Sequence, residues 1–146
     1  MPPVHGFTIK LVSNVIACHW HADPQPSDVT ALAAETTRLV KAAGMVCHFL
    51  AVIPEGVSHP TRETAAAMRQ QMPSLLRDVE TLHSVVMGEG ATASLVRTFL
   101  RGLNALTAGR GRVFIHRNLE QALAELGKLG VNVDTLMREM PVLRTR

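Results

Sequence analysis

The run Met45-Val46-Cys47-His48-Phe49-Leu50-Ala51-Val52-Ile53 constrains the fold of this chain more than any other segment. It is apolar at almost every position and is bounded by Gly44 and Pro54. A strand that is covered on one face alternates between apolar and polar residues, whereas a strand covered on both faces is apolar nearly throughout. We therefore predict that residues 45–53 form a central strand.

Other strand patterns precede and follow this run. Residues 7–12 alternate between apolar and polar, with Phe7, Ile9 and Leu11 on one side. After the polar turn Ser13-Asn14 a second β-like run covers 15–21, so the two are predicted to form an opening hairpin. Two later strands are predicted at 83–87 and 112–116.

Segments with helical periodicity separate these strands. Ser27 is predicted to be the N-cap of the first helix, and Gly44 stands where a C-terminal glycine belongs. Pro73 either kinks the second helix or starts a new one. Helices are predicted over roughly 28–43, from Pro60 through Leu76, over about 91–107, and from Asn118 onward.

The third helix has the apolar stripe Leu95, Phe99, Gly102, Leu103 and Leu106, and Gly109-Arg110-Gly111 is predicted to stop it. Asn118 is predicted to cap the last main helix, with Gln121 at the spacing of a capping box.

The element order is therefore β-β-α-β-α-β-α-β-α, followed by a short C-terminal helix from Asp134. Helical crossovers join parallel strands, whereas a hairpin joins antiparallel ones. This order predicts an α/β fold with a small mixed, mostly parallel sheet of about five strands. The 146 residues suit a single domain, 1–146. Residues 128–146 are predicted to be a helical extension that either covers the core or forms a self-association surface, which would give a homodimer.

The composition argues against several classes of function. Only 3% of the residues are aromatic, and the 15 Lys and Arg are spread along the chain, so we expect no nucleic-acid partner. No apolar run approaches the length of a membrane span and the start lacks a signal-peptide pattern, so we expect a cytoplasmic protein. Cys18 and Cys47 lie in apolar runs and are predicted to be buried thiols.

The histidines support an alternative function. His19 and His21 are two residues apart in a predicted strand, so both side chains leave the same face, and this spacing can supply two metal ligands. His48, His83 and His116 each lie in one of the later strands. No Cys-x-x-Cys or His-Glu-x-x-His motif accompanies them, so edge or solvent-facing histidines are the preferred interpretation. A sensor that binds a metal, haem or small ligand remains the alternative.

No catalytic set is evident. The pairs Ser58-His59 and Cys47-His48 are sequence neighbours, a position that usually prevents the hydrogen bond that nucleophilic catalysis requires. We therefore expect a protein that is not an enzyme and has no cofactor. Arg97 and Arg101 are one helical turn apart and form either an anion-facing patch or a solvated helix face.

The end of the chain resembles the STAS family, the sulphate-transporter and anti-sigma-factor-antagonist domain. A helix rich in Leu and Arg at 95–103 leads to the strand Val113-Phe114-Ile115-His116. The helix that follows, at 118–126, is similar to the closing helix of the family. The resemblance covers about residues 7–127 and implies a regulatory signalling domain that binds a protein partner.

The resemblance also implies a partner-binding loop at about 54–61, with the start of the second helix. Phosphorylatable members carry an Asp-Ser-Ser/Ala-Gly turn there, whereas this chain has Gly56-Val57-Ser58-His59-Pro60-Thr61. Ser58 and Thr61 match by position only, so the phosphoacceptor site is degenerate, and the alternative is that either residue caps the helix. The expected function is a non-enzymatic protein-interaction module with Glu55, Ser58, His59 and Thr61 as candidate contacts.

Overall fold

The computed structural model describes residues 5–105 and 111–145 and contains a sheet whose five strands follow one another in sequence order. The first two strands are antiparallel and the remaining neighbours are parallel. The predicted α/β class with a mixed, mostly parallel sheet is therefore confirmed. The strands are β1 (Phe7–Val12), β2 (Val15–Trp20), β3 (His48–Ile53), β4 (Thr81–Val86) and β5 (Val113–His116).

Five α-helices and a short 3₁₀ helix complete the described part of the chain. Within that part, no helix has the length and apolar character needed to cross a membrane. The helices are α1 (Pro26–Ala43), α2 (Arg62–Asp78), α3 (Ala91–Ala105), α4 (Leu119–Lys128), α5 (Val133–Glu139) and the 3₁₀ helix Pro141–Arg144.

Two helix starts differ from the prediction. The N-cap of α1 is Gln25 and not Ser27, because Pro26 suits the first helical position and the Asp28 carboxylate accepts a hydrogen bond from Gln25 N–H at 2.9 Å. The helix ends as predicted at Gly44, whose φ is +63°. The N-cap of α2 is Thr61, so the helix begins at Arg62, two residues after the predicted start at Pro60, and α2 continues through Pro73 without restarting.

The buried face of α3 also differs from the predicted stripe. Leu95 is 56% exposed, whereas Val96, Arg97 and Leu103 are buried. The helix is therefore rotated relative to the predicted stripe, so that a guanidinium faces inward. Leu106 and the Gly109-Arg110 part of the predicted stop lie outside the described residues.

The two sheet faces are covered by different parts of the chain. Right-handed crossovers between successive parallel neighbours put their helices on the same face, and α1, α2 and α3 all contribute to one apolar cluster with Ile16, Cys18, Phe49 and Leu82. The opposite face packs against α4, α5 and the 3₁₀ helix, which we call the C-terminal layer (residues 119–144). Both faces of β3 are thus covered, as its apolar run predicts, but the strand begins at His48 and not at Met45, and Met45 and Val46 are exposed.

The C-terminal layer forms part of the core. Leu136 and Leu143 are fully buried and Met140 is nearly so, in the cluster that contains Leu50 of β3. Lys10 of the edge strand β1 also donates a hydrogen bond to the Glu139 carbonyl, at 3.2 Å. The predicted C-terminal extension therefore covers the core, which is one of the two alternatives given for it.

Candidate functional site

The loops that follow β2, β3 and β4 meet at one edge of the sheet. Parallel strands place their carboxyl ends side by side, and α/β proteins bind ligands outside such edges. Segments 21–25, 54–61 and 87–90 lie there, and we call them the carboxyl-edge surface. This surface contains Glu55, Ser58, His59 and Thr61, and all four are exposed.

Contacts on both sides hold the loop at 54–61. Ser58 N–H donates to the Asp23 carboxylate at 2.7 Å. On the other side the His59 ring packs edge-on against Phe99 of α3, with ring centroids 5.5 Å apart. Thr64 Oγ1, in the first turn of α2, donates to the Pro24 carbonyl at 3.0 Å. The loop is therefore pre-organised and presents its exposed side chains from a fixed backbone.

Thr61 and Ser58 have different surroundings. Thr61 Oγ1 accepts a hydrogen bond from Thr64 N–H at 3.2 Å, which confirms the helix-cap interpretation for Thr61. A phosphoryl group on Ser58 would lie beside the Asp23 carboxylate that its own N–H binds, and like charges repel. Phosphorylation of Ser58 remains a prediction, and this environment does not favour it.

A hollow of about 270 Å³ opens next to this loop. Its walls are residues 53–57, 86–88 and 90–93. The Glu55 side chain crosses over Gly88, whose φ is +98°, and a Cβ at position 88 would lie 2.8 Å from Glu55 Cγ. Glycine at 88 therefore allows both the turn and the placement of Glu55. The hollow has apolar walls at Ile53 and Val57 and one carboxylate at its side.

Arg97 is buried beneath the hollow and binds two of the residues that line it. It is only 6% exposed, and its Nη2 donates to the carbonyls of Val86, at 2.7 Å, and Gly88. Burial lowers the pKa of the Arg97 guanidinium. The prediction of a surface patch shared with Arg101 is therefore wrong for Arg97, because its charge is used to bind the end of β4. Arg101 itself is exposed.

The strand histidines are mostly buried, which corrects the preferred interpretation of edge or solvent-facing side chains. His19, His48, His83 and His116 are each at most 8% exposed, while His21 lies just beyond β2 and is exposed. The four buried rings point to one sheet face because they alternate with residues of the opposite cluster, and the C-terminal layer covers that face.

Three of these histidines and a threonine form a continuous chain of hydrogen bonds across β3, β4 and β5. His48 Nδ1 is 2.7 Å from Thr81 Oγ1, and Thr81 Oγ1 is 3.0 Å from His83 Nε2. His83 Nδ1 is 3.0 Å from His116 Nε2. We call these four residues the histidine chain. Sequence reasoning missed Thr81 because it lies before the predicted start of its strand.

The surroundings of the histidine chain favour neutral rings. Burial lowers the pKa of His83 to about 4, with further lowering by His116 and then His48, whereas Glu125 opposes the shift. Burial also lowers the pKa of His116, again opposed by Glu125, and that of His48, opposed by Glu80. All three imidazoles are therefore uncharged near neutral pH.

His19 and His21 each bind a different protein group. His19 Nε2 donates to the Thr145 carbonyl at 3.2 Å, and His21 Nε2 lies 2.8 Å from Thr8 Oγ1. Within residues 5–105 and 111–145, no group of three or more His, Cys, Asp or Glu side chains is placed to hold a metal ion. Within the described residues, His19 and His21 therefore lack a third His, Cys, Asp or Glu side chain with which to hold a metal ion. Cys18 and Cys47 are buried free thiols, as predicted.

Comparison of the chain with protein-family models, with curated proteins and with solved structures gives no match.

Proposed function

We propose that this chain is a non-enzymatic protein-interaction module that binds its partner through the carboxyl-edge surface. The observation that carries the proposal is the hollow of about 270 Å³ beside the loop at 54–61. A hollow of this size accepts a side chain of a partner protein, and the exposed loop next to it supplies the surrounding contacts. The resemblance to STAS domains supports the same loop as the partner-binding segment.

The fixed backbone of the loop favours binding. Ser58 is held by Asp23, and His59 is held against Phe99. A surface that is already ordered loses less conformational entropy when a partner binds. The contact surface therefore needs little rearrangement and no switch by phosphorylation.

The chemistry of the hollow indicates what the partner inserts. Ile53 and Val57 line an apolar wall, and Glu55 lies across Gly88 at its side. A lysine or arginine of the partner suits both features, since its aliphatic stem packs on the wall and its cationic group binds Glu55. The exposed Glu89, which follows Gly88, adds a second negative charge.

Affinity capture followed by binding measurements tests the proposal. The wild-type chain and Glu55→Arg are used as baits, and Glu139→Arg on α5 is the matched control, since Glu139 is exposed and lies outside the carboxyl-edge surface. The captured protein is then purified and its dissociation constant measured for each bait. We expect Glu55→Arg to weaken binding by about tenfold or more, and Glu139→Arg by less than about twofold.

Two outcomes contradict the proposal. One is the capture of no protein in stoichiometric amount by the wild-type chain. The other is a captured protein that Glu55→Arg and Glu139→Arg bind equally well, which would place the interface elsewhere.

A further inference from the structure

The distribution of buried histidines differs between the two sheet faces. His19, His48, His83 and His116 all lie on the face that the C-terminal layer covers. The cluster under α1, α2 and α3 is built from apolar side chains such as Ile16, Phe49 and Leu82. A change in imidazole charge therefore acts on the packing of one layer.

The hydrogen bonds of the histidine chain can run in either direction with every ring neutral. In one direction His48 Nδ1–H donates to Thr81, the Thr81 hydroxyl donates to His83 Nε2, and His83 Nδ1–H donates to His116 Nε2. In the other direction each bond is reversed. Each of the three contacts holds one hydrogen in both arrangements, because a neutral imidazole has one donor and one acceptor.

Protonation of the imidazoles breaks the hydrogen bonds of the histidine chain. When His83 and His116 are both charged, two N–H donors face each other across a contact of 3.0 Å. The hydrogen bond is then lost and two positive charges repel each other beneath the C-terminal layer. Burying a charge without a partner is also unfavourable in itself.

Two acidic groups face the chain and partly offset this cost. Glu125 of α4 interacts with both His83 and His116, and its carboxylate also pairs with Lys128 Nζ at 3.2 Å. Glu80, which precedes β4, interacts with His48. Glu125 belongs to the C-terminal layer, so the attraction between its carboxylate and the charged rings opposes the release of α4.

We propose that the histidine chain makes the docking of the C-terminal layer sensitive to pH. Acidification charges the imidazoles and releases α4, α5 and the 3₁₀ helix from the sheet, while α1 and α2 stay packed on the opposite face. The released state exposes the apolar side chains of β2, β3 and β4 on that face, among them Ala17, Leu50 and Val85. The pH dependence of this docking does not rest on the proposed binding of a partner protein.

Hydrogen exchange of the full chain, analysed by mass spectrometry, tests the proposal. Protection factors correct for the intrinsic effect of pH on exchange, so they can be compared across conditions. Between about pH 7 and about pH 5 we expect protection in α4 and α5 to fall by about tenfold or more, and protection in α1 and α2 to change by less than about threefold.

Three exposed or half-exposed positions give variants that leave the buried rings intact. Glu125→Gln removes the carboxylate that stabilises the charged rings, so the layer should open at a higher pH than in the wild type. Lys128→Gln breaks the Glu125–Lys128 pair but keeps that carboxylate, and Glu120→Gln changes charge elsewhere on α4. Neither control should raise the pH of opening.

The proposal is overturned if α1, α2, α4 and α5 lose protection together over the same pH range, because the transition would then be global. It is also overturned if protection of α4 and α5 does not change with pH. A third contrary result is that Glu125→Gln opens at the same pH as Glu120→Gln.

Discussion

Nδ1 of His83 lies 3.0 Å from Nε2 of His116, and the planes of the two rings differ by only 7°. Such a geometry lets one ring donate to the other within a common plane. The strand register pairs His83 with Phe114 and Val85 with His116, so the contact crosses diagonally from β4 to β5. One nitrogen of this pair must be unprotonated, and the stability of the fold is therefore linked to pH.

The free energy of unfolding should decrease as the pH is lowered from about 6.5 to about 4. The pKa of His83 is about 4 in the folded chain and 6.5 in the absence of structure, so the unfolded chain binds more protons in this window. The stabilisation is fully present above the unfolded pKa and is lost as the pH falls, by about 3 kcal/mol for His83. Urea unfolding followed by the fluorescence of Trp20 measures it.

The control for this pH dependence is His21→Gln, because His21 is exposed and lies outside the histidine chain. This variant should keep the wild-type slope of unfolding free energy against pH. A free energy that stays constant between about pH 6.5 and about pH 4 would contradict the role of His83.

Thr81→Val should destabilise the protein by about 2 kcal/mol. Valine has nearly the shape of threonine but lacks the hydroxyl that connects His48 Nδ1 to His83 Nε2. Both ring nitrogens then lose a buried hydrogen-bond partner. Chemical denaturation at neutral pH measures the effect, with the exposed Thr98→Val as the control, which should change stability by less than about 0.5 kcal/mol. Equal effects of the two substitutions would show that the Thr81 hydroxyl contributes nothing.

Thr61→Ala should cost about 1 kcal/mol, because the variant lacks the side-chain oxygen that caps α2. Ser58→Ala keeps the backbone N–H that binds Asp23, so it should change stability by less than about 0.5 kcal/mol. Thermal unfolding of the two variants measures the difference. A larger loss for Ser58→Ala than for Thr61→Ala would contradict the assignment of Thr61 as the cap.

Gly88→Ala should destabilise the protein by about 1 to 2 kcal/mol, since an alanine is strained at a φ of +98° and its Cβ would meet Glu55. Gly90→Ala is the matched control in the same loop, because a Cβ there meets nothing within 4 Å. The double variant Gly88→Ala/Glu55→Ala should recover the part of the loss that comes from the clash. No recovery, measured by chemical denaturation, would assign the whole effect to the backbone.

The sequence predicts the sheet well because its strongest signals are local. The alternation in 7–12 and the turn at Ser13-Asn14 define the hairpin, and the apolar run before Pro54 defines β3. Gly44 ends α1 where a positive φ is required. Each of these features depends on a few adjacent residues, so periodicity and turn chemistry are sufficient to find them.

The candidate sites depend on contacts between distant segments, which no local pattern contains. The burial of His83 requires the C-terminal layer, more than thirty residues later in the chain, and the hydroxyl of Thr81 joins two strands. Arg97 looks like a surface residue of a helix, yet it binds carbonyl groups at the end of β4. The resemblance predicts that the loop at 54–61 is an interaction segment, whereas the hollow beside it follows only from the packing of α3.

The sequential order of the strands also affects how the chain folds during synthesis. Each strand pairs with the one made just before it, so the sheet can assemble in the order in which the ribosome releases it. The face that carries Leu50 and Val85 is different, because its cover consists of residues 119–144. A nascent chain in which all five strands have left the ribosome but residues 119–144 have not would have one uncovered sheet face, and we expect it to be most prone to aggregation at this stage.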